Sequence, residues 1–242
     1  MLYFRACRCK LMAVYCLSSL AILQVLQFAD SALPVGSISH SLGLEVLAFD
    51  EDIANSVERC PASLYSYIAD SLTETLLLDA VFCRQAHSRA SRGIAIDDLN
   101  EHMSALRLAR ESREASLSLG RRFVALAAAL HPYPALSGLA IHQELHHSVA
   151  FGYVLGIFGV DPDLTVSAFI HQCVLNTISA AQRLLPLGQT QASRIAWDLK
   201  PAMLETLEQS RSESVSTVCA FAHLPELASM RHACLPTRLF IS

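Results

Sequence analysis

The sequence predicts an all-α protein, a single-domain helical bundle with a partly extended C-terminal tail. Apolar residues recur every three or four positions through most of the 242 residues, as they do on the buried face of a helix. No stretch of four or more residues alternates cleanly between apolar and polar side chains, as a half-buried strand would. Proline and glycine interrupt the helical pattern at intervals that suit short connections.

The composition is rich in apolar residues and poor in charge. Hydrophobic residues make up 52% of the chain and charged residues 17%, which exceeds what one soluble core normally requires. The surplus indicates binding partners or oligomer formation. The formal net charge is -4, and no run of Lys or Arg exceeds two residues, so the sequence lacks the basic surface that nucleic acid requires.

The cysteine pattern indicates a reducing compartment, and hence the cytoplasm. The eight cysteines show no CxxC motif and no ladder of short spacings, and the chain is large enough to fold without disulfides. They are Cys7, Cys9, Cys16, Cys60, Cys83, Cys173, Cys219 and Cys234.

The N-terminal region has the length of a signal peptide or a membrane anchor. Residues 11–29 carry no charge and follow Arg5, Arg8 and Lys10. Polar residues interrupt the run, however, and no convincing small-residue cleavage site ends it. We therefore expect a core helix and no membrane contact. Residues 1–19 are interpreted as a non-native or flexible extension of a helical domain at 20–242, and Met12 is an alternative start.

In the first half of the chain, proline residues and helix-capping residues separate three predicted helices. Residues 30–36 form a loop, because Pro34 disfavours helical geometry in the residue before it, and a helix covers 37–49. Pro61 suits the first turn of the next helix, which should bury Leu64, Ile68, Leu72 and Leu76 as one stripe. Asp97 or Asp98 caps a long helix that runs to about residue 130 and ends at His131-Pro132-Tyr133-Pro134.

The second half is predicted to contain three further helices and the tail. One covers about 143–158 and ends at Gly159, and Asp161-Pro162 opens the next, which runs to residue 185. The segment Pro186-Leu187-Gly188 breaks the chain before a last long helix at about 190–210. Residues 218–242 should combine a short helix with extended chain.

Three histidines form the one cluster that suggests metal chemistry. His142, His146 and His147 are arranged as H-x3-H-H, and two histidines four apart on a helix can chelate a divalent ion. The metalloprotease signature needs Glu after the first His, where this chain has Gln143. We interpret the cluster as a solvated helix end. A metal-dependent hydrolase built on these histidines is the alternative.

Other catalytic signatures are missing from the sequence. It contains no G-x-S-x-G nucleophile elbow and no phosphate-binding glycine loop. Ser39, His40 and Ser41 are adjacent, and side chains of adjacent helical residues point about 100° apart. These three residues therefore suit a helix cap or an interface, and the sequence predicts a protein without catalytic activity.

Four segments, read in order, resemble the UreF family of urease accessory proteins. Residues 28–45 (FADSALPVGSISHSLGLE) resemble the family's opening motif, and residues 113–120 (REASLSLG) resemble its central helix. His147 with Gly152, followed by residues 176–190 (NTISAAQRLLPLGQT), resembles the second core block. Residues 228–232 (ASMRH) with 238–240 (RLF) are similar to the C-terminal signature.

The resemblance implies an all-α, dimerising protein that joins a UreD-like protein (also called UreH) and the UreG-like GTPase. This assembly would deliver nickel to apo-urease, and the subunit would modulate GTP hydrolysis without a cofactor of its own. Nickel and GTP would be handled by the partners. The partner-binding residues implied are His40, Ser41, Glu45, Arg183, Gln189, Arg231, His232 and Arg238.

The implied roles of these residues differ. Glu45 and Arg183 match positions implicated in contact with the GTPase, and an internal salt bridge or a solvated face is the alternative for each. Arg238 matches a position that helps to order the tail when the UreD-like partner binds. The family commonly has an aromatic residue where this chain has Ile38, and isoleucine cannot donate a hydrogen bond, so Arg238 needs another acceptor here.

Overall fold

A computed structural model describes residues 18–37, 40–50, 52–53, 56–139, 144–219 and 223–241. Within these ranges the regular structure is entirely helical, which confirms the predicted all-α class. The helices are α1 (Ser19–Phe28), α2 (Leu44–Phe49), α3 (Cys60–Thr73), α4 (Thr75–Ala90), α5 (Asp97–Leu106), α6 (Arg110–Leu130), α7 (Pro134–Leu139), α8 (His147–Ile157), α9 (Pro162–Leu184), α10 (Gln189–Asp198), α11 (Lys200–Ser212) and α12 (His223–Arg231). A short 3₁₀ turn, His232–Cys234, follows α12.

The centre of the bundle is α8, which packs against α4, α6 and α9. Nearly all of α8 is buried. The α4–α8 interface is the most extensive in the described chain, because Gly152 lets the two backbones approach closely. A Cβ atom on Gly152 would lie 2.0 Å from the carbonyl oxygen of Cys83. Phe123, Phe151 and Phe169 fill the space beside this contact.

Several predicted boundaries are confirmed. Residues 30–36 are not helical, and α3 has Pro61 in its first turn and buries Leu64, Ile68 and Leu72. At α9, the carboxylate of Asp161 caps the helix by accepting hydrogen bonds from the amides of Asp163 and Leu164, both at 2.9 Å. The helix ends at Leu184, two residues before Pro186.

In the N-terminal half, one helix and one buried stripe were predicted to be longer than they are. The helix expected at 37–49 is only α2, because Leu42 (φ 50°) and Gly43 (φ 93°) have left-handed backbone that a helix cannot continue through. The stripe from Leu64 to Leu72 does not extend to Leu76. Glu74 breaks the helix with φ -120° and ψ -89°, and Leu76 lies partly buried on α4.

The long helix predicted from Asp97 or Asp98 is two helices. The first of them, α5, has Ile96 as its N-cap residue, so the predicted cap at Asp97 or Asp98 was wrong. Arg107, with φ -90° and ψ 96°, ends α5, and α6 starts three residues later. Arg107 turns away because its guanidinium pairs with Asp79 on α4, with Nη2 2.7 and 2.6 Å from the two carboxylate oxygens. The end at His131 is confirmed, and the short α7 after it was not predicted.

Two later helices also differ from the prediction. Residues 144–146 are not helical, so α8 begins at His147, not near residue 143. The last long helix is divided at Leu199 into α10 and α11, with Pro201 in the first turn of α11. Pro201 is a signal that sequence reasoning overlooked, because proline has no amide N–H and suits the first turn of a new helix better than the interior of a long one.

The N-terminal run is only partly a core helix. Of the predicted helix at 11–29, residues 18–29 lie in the described chain, and there Val25 and Phe28 are buried. Leu20, Leu23 and Leu26 are exposed. One described helix, α9, is long and apolar enough to cross a membrane, but 56% of its most apolar window is buried inside the protein, as in a core helix.

Candidate partner-binding site

The C-terminal segment, residues 223–241, folds back over α2. Its helix α12 packs against α2 and α6, and Gly43 is the point of closest approach. A Cβ on Gly43 would lie 2.8 Å from the carbonyl oxygen of Pro225 and 3.1 Å from the Cβ of Ala228. Glycine at this position therefore serves both the left-handed turn and the docking of α12.

A buried carboxylate holds the end of this segment. Glu45 accepts a hydrogen bond from the amide of Leu239 at 2.6 Å through Oε1. Its Oε2 accepts from Nε2 of His232 at 2.8 Å and from the amide of Phe240 at 3.2 Å. Glu45 and His232 are both buried. We call these four residues the Glu45 clasp; three donors on one buried carboxylate fix the path of the tail.

Two cationic side chains at the surface add to the clasp. Arg231 Nη1 lies 2.6 Å from Oδ2 of Asp50, the residue that follows α2. The guanidinium carbon of Arg183, in the last turn of α9, lies 4.3 Å from the ring centroid of Phe240. Such a cation–π contact contributes about 0.5–1 kcal/mol at an exposed site. Polar and charged contacts thus add to the burial of Ala228 and Phe240 in holding the segment.

The outward face of α12 is apolar, although the helix has few apolar residues inside. Leu224, Leu227 and Met230 are 54%, 58% and 43% exposed, and their spacing of three places them on one side of the helix. Ala228 and Ser229 face inward. Helices of isolated soluble proteins have the opposite arrangement. An exposed stripe of this kind marks an interaction surface.

A cavity of about 130 Å³ with a mixed polar and apolar lining lies beneath α12. Pro225, Glu226 and Ser229 of the C-terminal segment line it together with polar residues of the bundle, including His40, Ser41, Asp79, Arg107 and His147. Glu226 also accepts a hydrogen bond at 2.9 Å from the amide of Ala109, between α5 and α6. The C-terminal segment therefore covers a cavity of mixed polar and apolar lining, while its Ala228 and Phe240 join the apolar core.

The structure brings several of the predicted partner-binding residues to this one place. Glu45, Arg183, Arg231 and His232 all contact the C-terminal segment or belong to it. Glu45 is engaged internally, as the alternative interpretation of that residue allowed. The side chain of Arg183 is exposed to solvent, although it contacts the ring of Phe240 and makes one or more further interactions.

Of the other predicted residues, His40 and Ser41 line the cavity beneath α12, Arg238 belongs to the C-terminal segment itself, and Gln189 lies elsewhere. His40 and Ser41 are buried under α12, and burial, followed by the charge of Arg122, lowers the pKa of His40. Arg238 is exposed and makes no hydrogen bond or ion pair with another described residue. Ile38 is outside the described residues. Gln189 begins α10 and lines a separate groove with Trp197.

The interpretation of His146 as solvated surface was wrong. Its side chain is fully buried, with Nε2 2.8 Å from Oγ of Ser104 and Nδ1 3.0 Å from Oγ of Ser116. Its amide donates to Oδ1 of Asn100 at 2.9 Å. The backbone of His146 is extended and its side chain lies against α5 and α6, so His146 does not belong to the helix that was assumed for it.

His147 is part of the aromatic core. Its ring centroid lies 5.8, 6.2 and 5.4 Å from those of Phe123, Phe151 and Phe169. Burial lowers the pKa of His146 to about 3 and that of His147 to about 4, so both imidazoles are neutral near pH 7. His142 lies outside the described residues. Within the described chain, no group of three or more His, Cys, Asp or Glu could hold a metal ion.

Sequence reasoning missed the residues that place the C-terminal segment. Asp79, Arg107 and Glu226 set the break between α5 and α6 and the position of α12, and no local pattern around them indicates these long-range contacts. The spacing of Leu224, Leu227 and Met230 does mark one face of a helix. The sequence cannot tell, however, that this apolar face points outward.

Comparison with known proteins places the chain beside one family. A UreF family model matches residues 59–200. The protein named "Urease accessory protein UreF" from Bradyrhizobium diazoefficiens is 32% identical over 227 residues, covering 92% of each chain. Its namesake from Geobacillus kaustophilus is 30% identical and covers 91% of this chain and 98% of its own length. The namesake from Nostoc sp. is 28% identical, with 91% and 95% covered.

Proposed function

Since the chain belongs to the UreF family of urease accessory proteins, we propose that it is the adaptor subunit of a urease-maturation complex. It bridges a UreD/UreH-like protein and the UreG-like GTPase while nickel is inserted into apo-urease, and it modulates GTP hydrolysis. Nickel is cargo and GTP is the ligand of the GTPase, so the subunit has no cofactor and no catalytic role. It acts in the cytoplasm, as a homodimer.

The observation that carries this proposal is the outward apolar face of α12. Burying one exposed leucine or methionine side chain against a partner contributes roughly 1.5–3 kcal/mol. Leu224, Leu227 and Met230 together therefore supply enough free energy for a specific complex, provided that α12 is already in place. The Glu45 clasp supplies that preorganisation, and we propose that the UreD/UreH-like protein covers this face.

Glu45 and Arg183 have different parts in the proposal. Glu45 is buried beneath the tail, so it acts on a partner through the position of Leu239 and Phe240. Arg183 is exposed beside Phe240, where its charge can meet the GTPase directly. A rim charge of this kind affects the association rate and its salt dependence more than the final affinity.

The test is co-purification of the tagged chain with the three candidate partners. We expect a variant with Leu224→Ser, Leu227→Ser and Met230→Ser to lose the UreD/UreH-like protein. The matched control carries Leu130→Ser and Leu204→Ser, two leucines that are equally exposed on α6 and α11, and it should keep the whole assembly. GTP hydrolysis by the recruited GTPase is measured in parallel. Full retention by the first variant would contradict the proposal.

A further inference from the structure

A second exposed groove lies away from the C-terminal segment, between α9 and α10. One face of α9 contributes His171, Leu175, Ile178 and Gln182, at intervals of three or four residues. The facing residues begin at Gln189 and end at Lys200, the first residue of α11. From His171 to Gln182 the helix rises about 16 Å. The volume of this α9–α10 groove is about 340 Å³, enough for two or three side chains of another chain.

The groove has an apolar floor and one cationic end. Leu175, Ile178, Ala192 and Ala196 are buried or half-buried and form the floor. Hydroxyl and amide side chains line the sides: Ser31, Ser179, Gln182, Gln189 and Ser193. Among the lining residues only His171 and Lys200 are ionisable, and both lie at the end away from the α9–α10 turn. The charge of Lys200 at this end is not balanced by any carboxylate in the lining.

Trp197 marks the same end of the groove. It is 66% exposed, and the Lys200 Nζ lies 3.6 Å from the centroid of its ring. Tryptophan is enriched among the residues that dominate binding energy at protein interfaces. Partial burial, followed by the charge of Lys200, lowers the pKa of His171.

We propose that the α9–α10 groove binds an acidic segment of another protein, with an apolar side chain on the floor and carboxylates at the Lys200–His171 end. The partner is fixed by its chemistry. Complementary charge selects an anionic segment over a basic one, and the apolar floor with Trp197 favours a polypeptide with alternating acidic and apolar residues over a simple anion. This inference does not depend on the proposed role in urease maturation.

Trp197 also supplies the measurement, because it is the only tryptophan in the chain. Its fluorescence is followed while the full-length protein is titrated with a synthetic, tryptophan-free decapeptide of leucine and glutamate. The matched control peptide has lysine in place of every glutamate. We expect the emission of Trp197 to shift to shorter wavelength with the glutamate peptide, and the lysine peptide to bind about tenfold more weakly or not at all.

A charge reversal tests the polarity of the groove. The Lys200→Glu variant should bind the glutamate peptide about tenfold more weakly and the lysine peptide more tightly than the native protein does. Arg121→Glu, an exposed charge reversal on α6, should change neither. No shift with the glutamate peptide, equal shifts with both peptides, or an unchanged Lys200→Glu variant would overturn the proposal. So would an equal shift with phosphatidylserine vesicles, which would assign the groove to lipid. Failure of the peptide with intact co-purification of the accessory proteins rejects the groove alone.

Discussion

Glu45 shows how one side chain can link the two ends of a chain. It lies in the first turn of α2, and its donor His232 lies 187 positions later. Resemblance to the family indicated that both residues matter, and sequence alone could not pair them, because no local pattern encodes a contact at that separation. The geometry assigns Glu45 to holding the tail, with two backbone amides and one imidazole as donors.

Replacing Glu45 by Gln should release the tail without unfolding the bundle. A carboxamide has one acceptor oxygen. Its NH₂ group would face an N–H group that donates a hydrogen bond to the carboxylate in the native protein, so that hydrogen bond would be lost. We expect the local opening free energy of the tail to fall by about 1–3 kcal/mol. Amide hydrogen exchange at Leu239 and Phe240 should then accelerate by roughly one to two orders of magnitude.

Glu205→Gln is the control for this change. Glu205 is exposed on α11. Its substitution should leave the amide hydrogen exchange of the tail at the rate of the native protein. Exchange at Leu239 and Phe240 that stays equally slow in the Glu45→Gln protein would refute the clasp.

The buried histidines make stability depend on pH. Burial depresses the pKa of His146 to about 3 and of His147 to about 4, whereas both titrate near 6.5 when unfolded. Between these values the unfolded chain binds more protons than the folded one. Stability is therefore complete above about pH 6.5 and falls as the pH is lowered, by about 1.4 kcal/mol per pH unit for each histidine.

Urea unfolding between pH 7.5 and 4 measures this dependence. His147→Phe keeps an aromatic ring beside Phe123, Phe151 and Phe169 and removes one titrating group, so its stability should fall less steeply below pH 6.5. Because carboxylates also protonate in this range, the comparison of slopes is the decisive quantity. Identical slopes for the two proteins would show that His147 is not a buried neutral base.

At the scale of elements, the helices that proline and glycine delimit could be predicted. The loop at 30–36, the start of α3 at Pro61 and the cap of α9 at Asp161 followed from local chemistry. The breaks after α5 and before α2 did not. Arg107 leaves the helix for a partner on α4, and Gly43 adopts φ 93° under α12. Both depend on distant elements, which local propensity cannot anticipate.

The contact between α4 and α8 sets how tightly the bundle packs. Gly152→Ala would place a methyl group 2.0 Å from the Cys83 carbonyl oxygen, so the two helices must separate. We expect a loss of about 1–3 kcal/mol or more in the free energy of unfolding, measured with urea. In contrast, Gly138→Ala on the exposed surface of α7 meets nothing within 4 Å and should be neutral or stabilising by up to about 1 kcal/mol. Equal stability of the two variants would show that α4 and α8 are not in this contact.

At the scale of the whole molecule, the apolar surplus in the composition appears at definite places. The outward face of α12, the exposed leucines of α1 and Trp197 hold much of it. Composition predicted that such surface exists, whereas its location follows only from the fold. The His142, His146 and His147 cluster shows the opposite case: a pattern that looked like a surface or metal feature has two members in the core.

The position of the C-terminal segment on the bundle determines which of its residues a partner can contact. The segment sits over a cavity of mixed polar and apolar lining, is bound by Glu45, Arg183 and Asp50, and exposes Leu224, Leu227 and Met230. Surface changes on that outward face should alter the free energy of unfolding by no more than about 0.5 kcal/mol. Partner binding and stability can therefore be separated experimentally.

The nickel content of urease is the decisive test of the proposed adaptor role of α12. Urease is purified from cells in which this chain is the sole UreF-family protein, in its native form, with Leu224→Ser, Leu227→Ser and Met230→Ser, or with Leu130→Ser and Leu204→Ser. We expect nickel-loaded, active urease with the native chain and with the second variant, and nickel-poor enzyme with the first. Nickel-poor urease with the native chain, or fully loaded urease with the variant of α12, would contradict this role.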